Sequence, residues 1–193
     1  MALRNLNETA TFLHQVLGDY TGFWAVAGGW AIDFYLGELT RKHKDLEIAI
    51  WRDEQEQIHR YLAGWDCKSY NNGYPKEWLQ GNTLHLPVHE VHCLDKNHEL
   101  EILLNERENG VWTFRRDKRI TSPERCFAID NSAGVKVIAP EIVLLYKAKD
   151  PSPNDILDLE NTLEEMEAKS RTWLFESIYK INPKHKWLSF IGS

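Results

Sequence analysis

Hydrophobic positions recur with two different periods along this chain, and each change of period marks an element. Leu6, Ala10, Leu13 and Leu17 fall at helical spacing behind Asn5, a residue suited to capping, so a first helix is predicted up to about Gly18. The unbroken apolar run WAVA at 24–27 predicts a buried strand, and Trp30 to Leu36 a short helix ended by Gly37. Leu46, Ile48 and Ile50 then alternate with Asp45, Glu47 and Ala49, the period of a half-buried strand. Asp53 is placed to cap a helix through Ile58, Tyr61 and Leu62, stopped by Gly64. Beyond it, 65–81 is rich in glycine and asparagine and predicts a strand and loops.

Two alternating runs, His89 to Leu94 and Glu99 to Asn105, flank the turn residues Asp95-Lys96-Asn97 and predict a hairpin. Trp112 to Arg116 and Val135 to Ile138 are short strand candidates. Pro140 stands where the first residue of a helix belongs, ahead of EIVLLYKAKD. After the break at 150–154, Asn154 is expected to cap a helix striped by Leu159, Leu163 and Met166, and a further helix carries Trp173, Leu174 and Ile178 as far as Pro183. The fold class read from this order is α/β (α+β): a mixed β-sheet flanked by helices, with a core over 1–139 and a helical C-terminal part over 140–193 packed on it.

Composition narrows the function classes. With 193 residues, 42% of them hydrophobic and 27% charged, the chain is an ordinary globular sequence. A net charge of −6 argues against nucleic acid as a partner, since binding there needs clustered Lys and Arg. The same charge suits a small cationic acceptor. No apolar run approaches the ~20 residues of a membrane span, and the first fifteen residues lack the apolar core of a signal peptide. Cys67, Cys93 and Cys126 are odd in number and widely spaced, so neither a disulfide framework nor a zinc knuckle is expected, and the location predicted is cytoplasmic.

The candidate chemistry gathers between Trp24 and Ile50. Gly28 and Gly29 follow a buried strand and open a helix, where bare backbone and free N–H groups form an anion cradle; the alternative is a tight turn with no ligand. Asp45 and Glu47 leave the same face of a strand, ~6.6 Å apart along the backbone. Two such carboxylates repel each other unless the face is solvated or a cation lies between them. If Glu101, or failing that Glu99, comes alongside on a neighbouring strand, a third carboxylate completes a set suited to two ions ~3.5–4 Å apart. Arg41, Lys42, His43 and Lys44 are positioned to meet phosphates, Arg41 best through its fork, or to form a solvated basic turn. Lys147, on the helix after Pro140, is a further candidate for the phosphates; the alternative is a plain surface lysine. His85, His89 and His92 cluster loosely, but His89 and His92 fall on opposite faces of a strand and lack the spacing of a zinc site.

Taken together, these residues resemble the nucleotidyltransferase superfamily with the DNA polymerase β-like fold, and most closely the aminoglycoside-2''-adenylyltransferase family. That family's pattern runs Gly-Gly-Trp-Ala-Ile-Asp, a short helix, Gly, Thr-Arg-x-His, then Asp-x-Asp. Here it reads GGWAID at 28–33, Gly37, TRKH at 40–43 and DLE at 45–47. The resemblance implies that Gly28 and Gly29 cradle a triphosphate, that Asp45, Glu47 and Glu101 hold Mg²⁺ (or Mn²⁺), and that Glu101 acts as base on an acceptor hydroxyl. It also places Asp33, Arg41 and His43 in the motif, Arg41 or His43 near the phosphates. The implied activity is transfer of a nucleoside monophosphate, from ATP or another NTP, to a hydroxyl of a small molecule, an aminoglycoside-like one among the candidates; the rival reading is a non-catalytic nucleotide-binding or regulatory, antitoxin-like protein on the same fold. Glu47 departs from the Asp of the pattern, and its extra methylene moves a ligand atom by ~1.5 Å.

Overall fold

The side chain of Asn5 accepts the Glu8 N–H at 2.9 Å and so starts α1 (Leu6–Leu17) at the residue expected. In this computed structural model, which describes residues 5–96 and 98–192, β1 (Ala25–Val26) follows and leads directly into α2 (Gly28–Leu36). The helix therefore starts on the glycines themselves, two residues before the apolar pattern begins. β2 (Glu47–Trp51) ends in a single tight turn over Arg52–Glu54, and α3 (Gln55–Tyr61) comes after it. Asp53 does not cap that helix: its carboxylate lies 54 residues from, yet in contact with, Arg107, which donates to it at 3.1 and 3.0 Å. Two hairpins follow, β3 (Asp66–Asn71) with β4 (Tyr74–Glu77), and β5 (Glu90–Leu94) with β6 (Glu99–Glu108). Asn97, part of the predicted turn of the second, is outside the described residues, as are residues 1–4.

Short strands β7 (Val111–Thr113), β8 (Thr121–Pro123), β9 (Ala128–Asp130) and β10 (Lys136–Ile138) precede the helices α4 (Pro140–Lys147), α5 (Pro153–Leu163), α6 (Ala168–Ile181) and α7 (Leu188–Ile191). β7 stops at Thr113, so Arg115 and Arg116 lie in the turn beyond it rather than in the strand expected to reach them. The cap of α5 is Ser152 instead of Asn154. Ser152 and Asp155 exchange hydrogen bonds as a capping box, and Pro153 takes the first helical position.

The main sheet runs β4-β3-β5-β6-β2-β1-β10-β9, with β7 and β8 continuing from the far end of β6. It is mixed: β2 runs parallel to β6 and antiparallel to β1, while β1 runs parallel to β10. β2 is central, so both its faces are covered after Glu47, and Ala49 and Trp51 are as buried as Ile48 and Ile50. The half-buried strand expected there is correct only at its first residue. Ile48, Ile50, Ile102 and Leu104 join a cluster that extends to Leu144 on α4 and Leu174 on α6. Each such side chain contributes roughly 1.5–3 kcal/mol by leaving water. Among the described residues no helix is long and apolar enough to cross a membrane.

One sequence expectation is overturned outright. Cys67 and Cys93 form a disulfide, because β3 and β5 are antiparallel neighbours whose register sets these two residues directly opposite each other. Their separation of 26 residues carries no trace of that pairing. The argument for a cytoplasmic location drawn from cysteine usage falls with it.

Candidate active site

β1 and β2 bring the glycine pair against the first acidic residue of the strand. The Ala27 N–H donates to Glu47 O at 2.8 Å, which fixes the head of α2 over Glu47. Gly28 has a φ of +58°, in the left-handed region that favours glycine, and a Cβ there would overlap the Glu47 carboxylate. A Cβ on Gly29 would overlap the Arg41 guanidinium and crowd the His43 ring. The two glycines are thus required by close approach, one to the Glu47 carboxylate and one to Arg41 and His43.

The parallel register of β2 and β6 pairs Glu47 with Glu101, and the Glu101 N–H donates to Leu46 O at 2.9 Å. Asp45 lies just before β2 and is near enough to act electrostatically on both glutamates. Burial, with Asp45 and Glu90 adding repulsion, raises the Glu47 carboxyl above the usual carboxylate range, against the opposing pull of Lys147 and His43. Glu101 is pushed up to about 7, mainly by burial and then by Glu47, Asp45 and Glu90, with His92 opposing. Glu47 and Glu101 therefore stand side by side with Asp45 within electrostatic reach, a repulsive arrangement that a divalent cation would relieve.

A fourth acid, Glu90, joins from β5, where sequence reasoning did not look. His92 accepts or donates at 2.6 Å to Glu90, and its other ring nitrogen is 3.6 Å from both Glu99 and Glu101. Ligand atoms of Glu90, His92 and Glu101 all lie within 4.8 Å of one another, so this trio could also hold a cation. His92 thus keeps company with carboxylates rather than with His85 or His89. The signal was available: Glu90 and His92 are two apart on a strand, and share a face.

The basic residues of the motif are already engaged. Asp33 is fully buried and accepts from the Thr40 hydroxyl at 2.5 Å, the Thr40 N–H at 3.2 Å, and the His43 ring, which packs on Trp30 at 4.5 Å. Asp158, also fully buried, takes the fork of Arg41 at 2.8 and 2.9 Å and the ammonium of Lys147 at 3.0 Å. Lys147 has a second partner in Asp155 at 2.5 Å. These two aspartates tie the 40–43 segment to α2 and α5. Asp158 escaped sequence reasoning, because an acid on a helix reads as solvated until its packing against Arg41 and Lys147 is known.

Glu47 and Glu90 line a cleft of about 280 Å³. Gly28, Lys147, Arg115, Arg116 and Tyr146 line it with them. The two guanidinium carbons stand 5.4 and 5.3 Å from the centre of the Tyr146 ring, and Arg116 donates to the Tyr146 carbonyl at 2.6 Å. Burial raises the Tyr146 phenol to about 12.

Solved structures share this fold. The lincomycin-bound crystal structure of the lincosamide antibiotic adenylyltransferase LnuA superposes with a TM-score of 0.56 at 16% identity, covering 82% of this chain and 97% of that one. ANT(2'')-Ia in complex with adenylyl-2''-tobramycin gives 0.58 at 17% identity, covering 90% and 98%. The architecture is that of the nucleotidyltransferases, a mixed sheet flanked by helices. The family described as aminoglycoside-2''-adenylyltransferase matches residues 12–161, and the chain belongs to it. A 2''-aminoglycoside nucleotidyltransferase of Klebsiella pneumoniae is 34% identical over 74 residues, a match that spans 35% of this chain and 41% of that relative.

Proposed function

We propose that the protein is a metal-dependent nucleotidyltransferase that moves a nucleoside monophosphate, AMP from ATP in the first instance, to a hydroxyl of a small molecule. The observation that carries this reading is the register that sets Glu47 opposite Glu101, directly beside a glycine whose Cβ would overlap the Glu47 carboxylate. The buried, mutually repelling carboxylates fit a dication, and Asp45, Glu47 and Glu101 are the residues that would hold Mg²⁺ or Mn²⁺. The metal, when bound, neutralises triphosphate charge and polarises the phosphorus under attack.

This chain's own residues do the rest. The N–H groups at the head of α2, bared by Gly28 and Gly29, receive phosphate oxygens, and Lys147 adds a positive charge on the wall of the cleft. Glu101, with its carboxyl near neutrality, takes the proton from the acceptor hydroxyl. The new bond joins the acceptor oxygen to the α-phosphorus, the bond from that phosphorus to the bridging oxygen breaks, and pyrophosphate leaves with the electron pair. Arg41 and His43 serve this site by position: each is held by a buried aspartate beside Gly29.

The experiment is twofold. Calorimetric titration with ATP in Mg²⁺ or Mn²⁺ should show metal-dependent binding. Transfer of label from α-labelled ATP should then be followed over a panel that starts with aminoglycosides and lincosamides, since the family and its solved relatives carry those names. Asp45→Asn should abolish transfer with the fold unchanged; transfer that survives it would refute the site.

A further inference from the structure

Four neighbouring strands carry one row of side chains across the sheet. Glu47 on β2 pairs in register with Glu101 on β6, Glu101 with His92 on β5, and His92 with Lys68 on β3. Paired residues point to the same face, so the His92 imidazole stands beside the carboxylate that takes the acceptor's proton. Both ring nitrogens are directed at acids. Nε2 is 2.6 Å from a Glu90 oxygen, and because an ionised carboxylate only accepts, that nitrogen carries the hydrogen. Nδ1 is then the nitrogen that faces Glu101, at 3.6 Å, with Glu99 at the same distance. Tyr70 packs on the ring at 4.2 Å between centroids and limits its turning. On the other face of β5, Val91 and Cys93 are fully buried, and the Cys67–Cys93 disulfide ties β5 to β3. The frame that carries Glu90 and His92 is therefore fixed on both sides.

The two glutamates of the row are fixed in different ways. The Glu47 carboxylate lies against Gly28, in the space that a Cβ would take. Glu101 needs a partner of another kind, since a glutamate has one more rotatable bond to hold than an aspartate. Of the charged groups acting on it, Glu47, Asp45 and Glu90 repel it and His92 attracts it. A carboxylate that binds metal depends on an outer neighbour of this sort for its orientation. We infer that His92 is a positioning residue for the transfer: held by Glu90 through one nitrogen, it uses the other to aim the Glu101 carboxylate at the dication and the acceptor hydroxyl. This rests on the transferase reading above. It differs from the use of Glu90, His92 and Glu101 as three ligands of one ion, which their spacing within 4.8 Å also allows. In the positioning role His92 acts through Glu101 and adds no bound ion.

The test uses the full chain and two variants. His92→Phe keeps a ring against Tyr70 and removes both nitrogens; His92→Asn sets an amide nitrogen close to where Nδ1 stood. Mn²⁺ is titrated by calorimetry in the presence of a non-hydrolysable ATP analogue. Affinity for Mn²⁺ should fall about tenfold or more in His92→Phe and by less in His92→Asn, with the number of bound ions unchanged. At saturating Mn²⁺, label transfer should lose kcat in the same order while the KM for ATP moves by less than about threefold. In a Glu101→Gln background, adding His92→Phe should change Mn²⁺ affinity by less than about twofold, because the residue acts through Glu101. Wild-type affinity and kcat in His92→Phe overturn the proposal, and so does a full effect in the Glu101→Gln background. The loss of one bound ion also overturns it, by making His92 a ligand. A second arm needs no metal. In protein labelled with ¹³C at its glutamate carboxyl carbons, the Glu101 resonance, identified by its absence in Glu101→Gln, should move in His92→Phe; a resonance that stays in place refutes the positioning. A wild type that binds no dication therefore sinks the transferase reading alone, because the metal-free resonance still decides whether His92 holds Glu101.

Discussion

Replacing Asp158 by Asn keeps the shape of the side chain and removes one charge from beneath two cations. Asp158 is fully buried; it accepts from Arg41 at 2.8 and 2.9 Å and lies 3.0 Å from the Lys147 ammonium. The side chains of Arg41 and Lys147 are themselves only 15% and 16% exposed, so neither can turn fully into water without leaving its site. Breaking a buried ion pair by removing one member costs about 3–5 kcal/mol, because a buried charge is left without compensation. Lys147 retains Asp155, which limits the loss on its side and makes Arg41 the main casualty. For a chain of this size each kcal/mol moves the melting temperature by about 2–4 °C, so a fall of about 6–20 °C is expected in a calorimetric or circular-dichroism melt. Adding Arg41→Met should recover part of the loss, since the stranded cation is then gone, and the double-mutant cycle should show coupling above about 0.5 kcal/mol. A fall below about 2 °C, or strictly additive single effects, would refute the clamp.

Further outcomes follow from the same geometry. Glu101 keeps its proton to about pH 7 in the folded chain, whereas the unfolded chain gives it up near the model-compound value of 4.5. Folded protein thus binds more protons in that window, and metal-free stability should fall as the pH rises through it. Mg²⁺ binding should release about half a proton at pH 7 and almost none at pH 9, read by calorimetry in buffers of different ionisation enthalpy; release that does not vary with pH would place the proton elsewhere. Gly28→Ala should destabilise by more than about 1–2 kcal/mol, since a left-handed residue gains a Cβ and that Cβ overlaps Glu47. It should also weaken metal-dependent ATP binding, and an unchanged affinity would show that the glycine serves only the turn. In denaturant without reductant, thiol titration should find Cys126 alone, rising to three thiols after reduction. The reduced protein should melt lower by an amount set by about 2–4 kcal/mol.

Where the periodicity was local, the sequence was a sufficient guide. The cap at Asn5, the hairpin over β5 and β6 and the helix opened by Pro140 each depend on neighbours within one turn or one strand, and each is where the pattern puts it. Failures come where partners are distant in the chain. Asp53 looked like a cap because its competitor Arg107 is 54 residues away, and Cys67 looked unpaired because nothing local announces that β3 and β5 are neighbours. The site divides the same way. Asp45, Glu47 and Glu101 were legible from strand alternation, and the register of β2 and β6 sets Glu101 beside Glu47; Glu90 could have been read from the face it shares with His92, whereas Asp158 needed the helix packing to be known.

The same distinction changes how the basic motif is understood. Read along the chain, 40–44 offers four cations to a phosphate, and a neutral observer would assign anion binding there. In the fold, Asp33 occupies His43 and Asp158 occupies Arg41, so the segment's charges are largely spent on holding α2, β2 and α5 together around the glycines. Charge available for a substrate must then come from elsewhere in the cleft. Lys147 also lines the cleft, but its ammonium is already shared between Asp155 and Asp158, whereas no ion pair reaches Arg115 or Arg116 among the described residues. A cation's presence in a motif therefore says less about ligand binding than whether its countercharge is already in the protein.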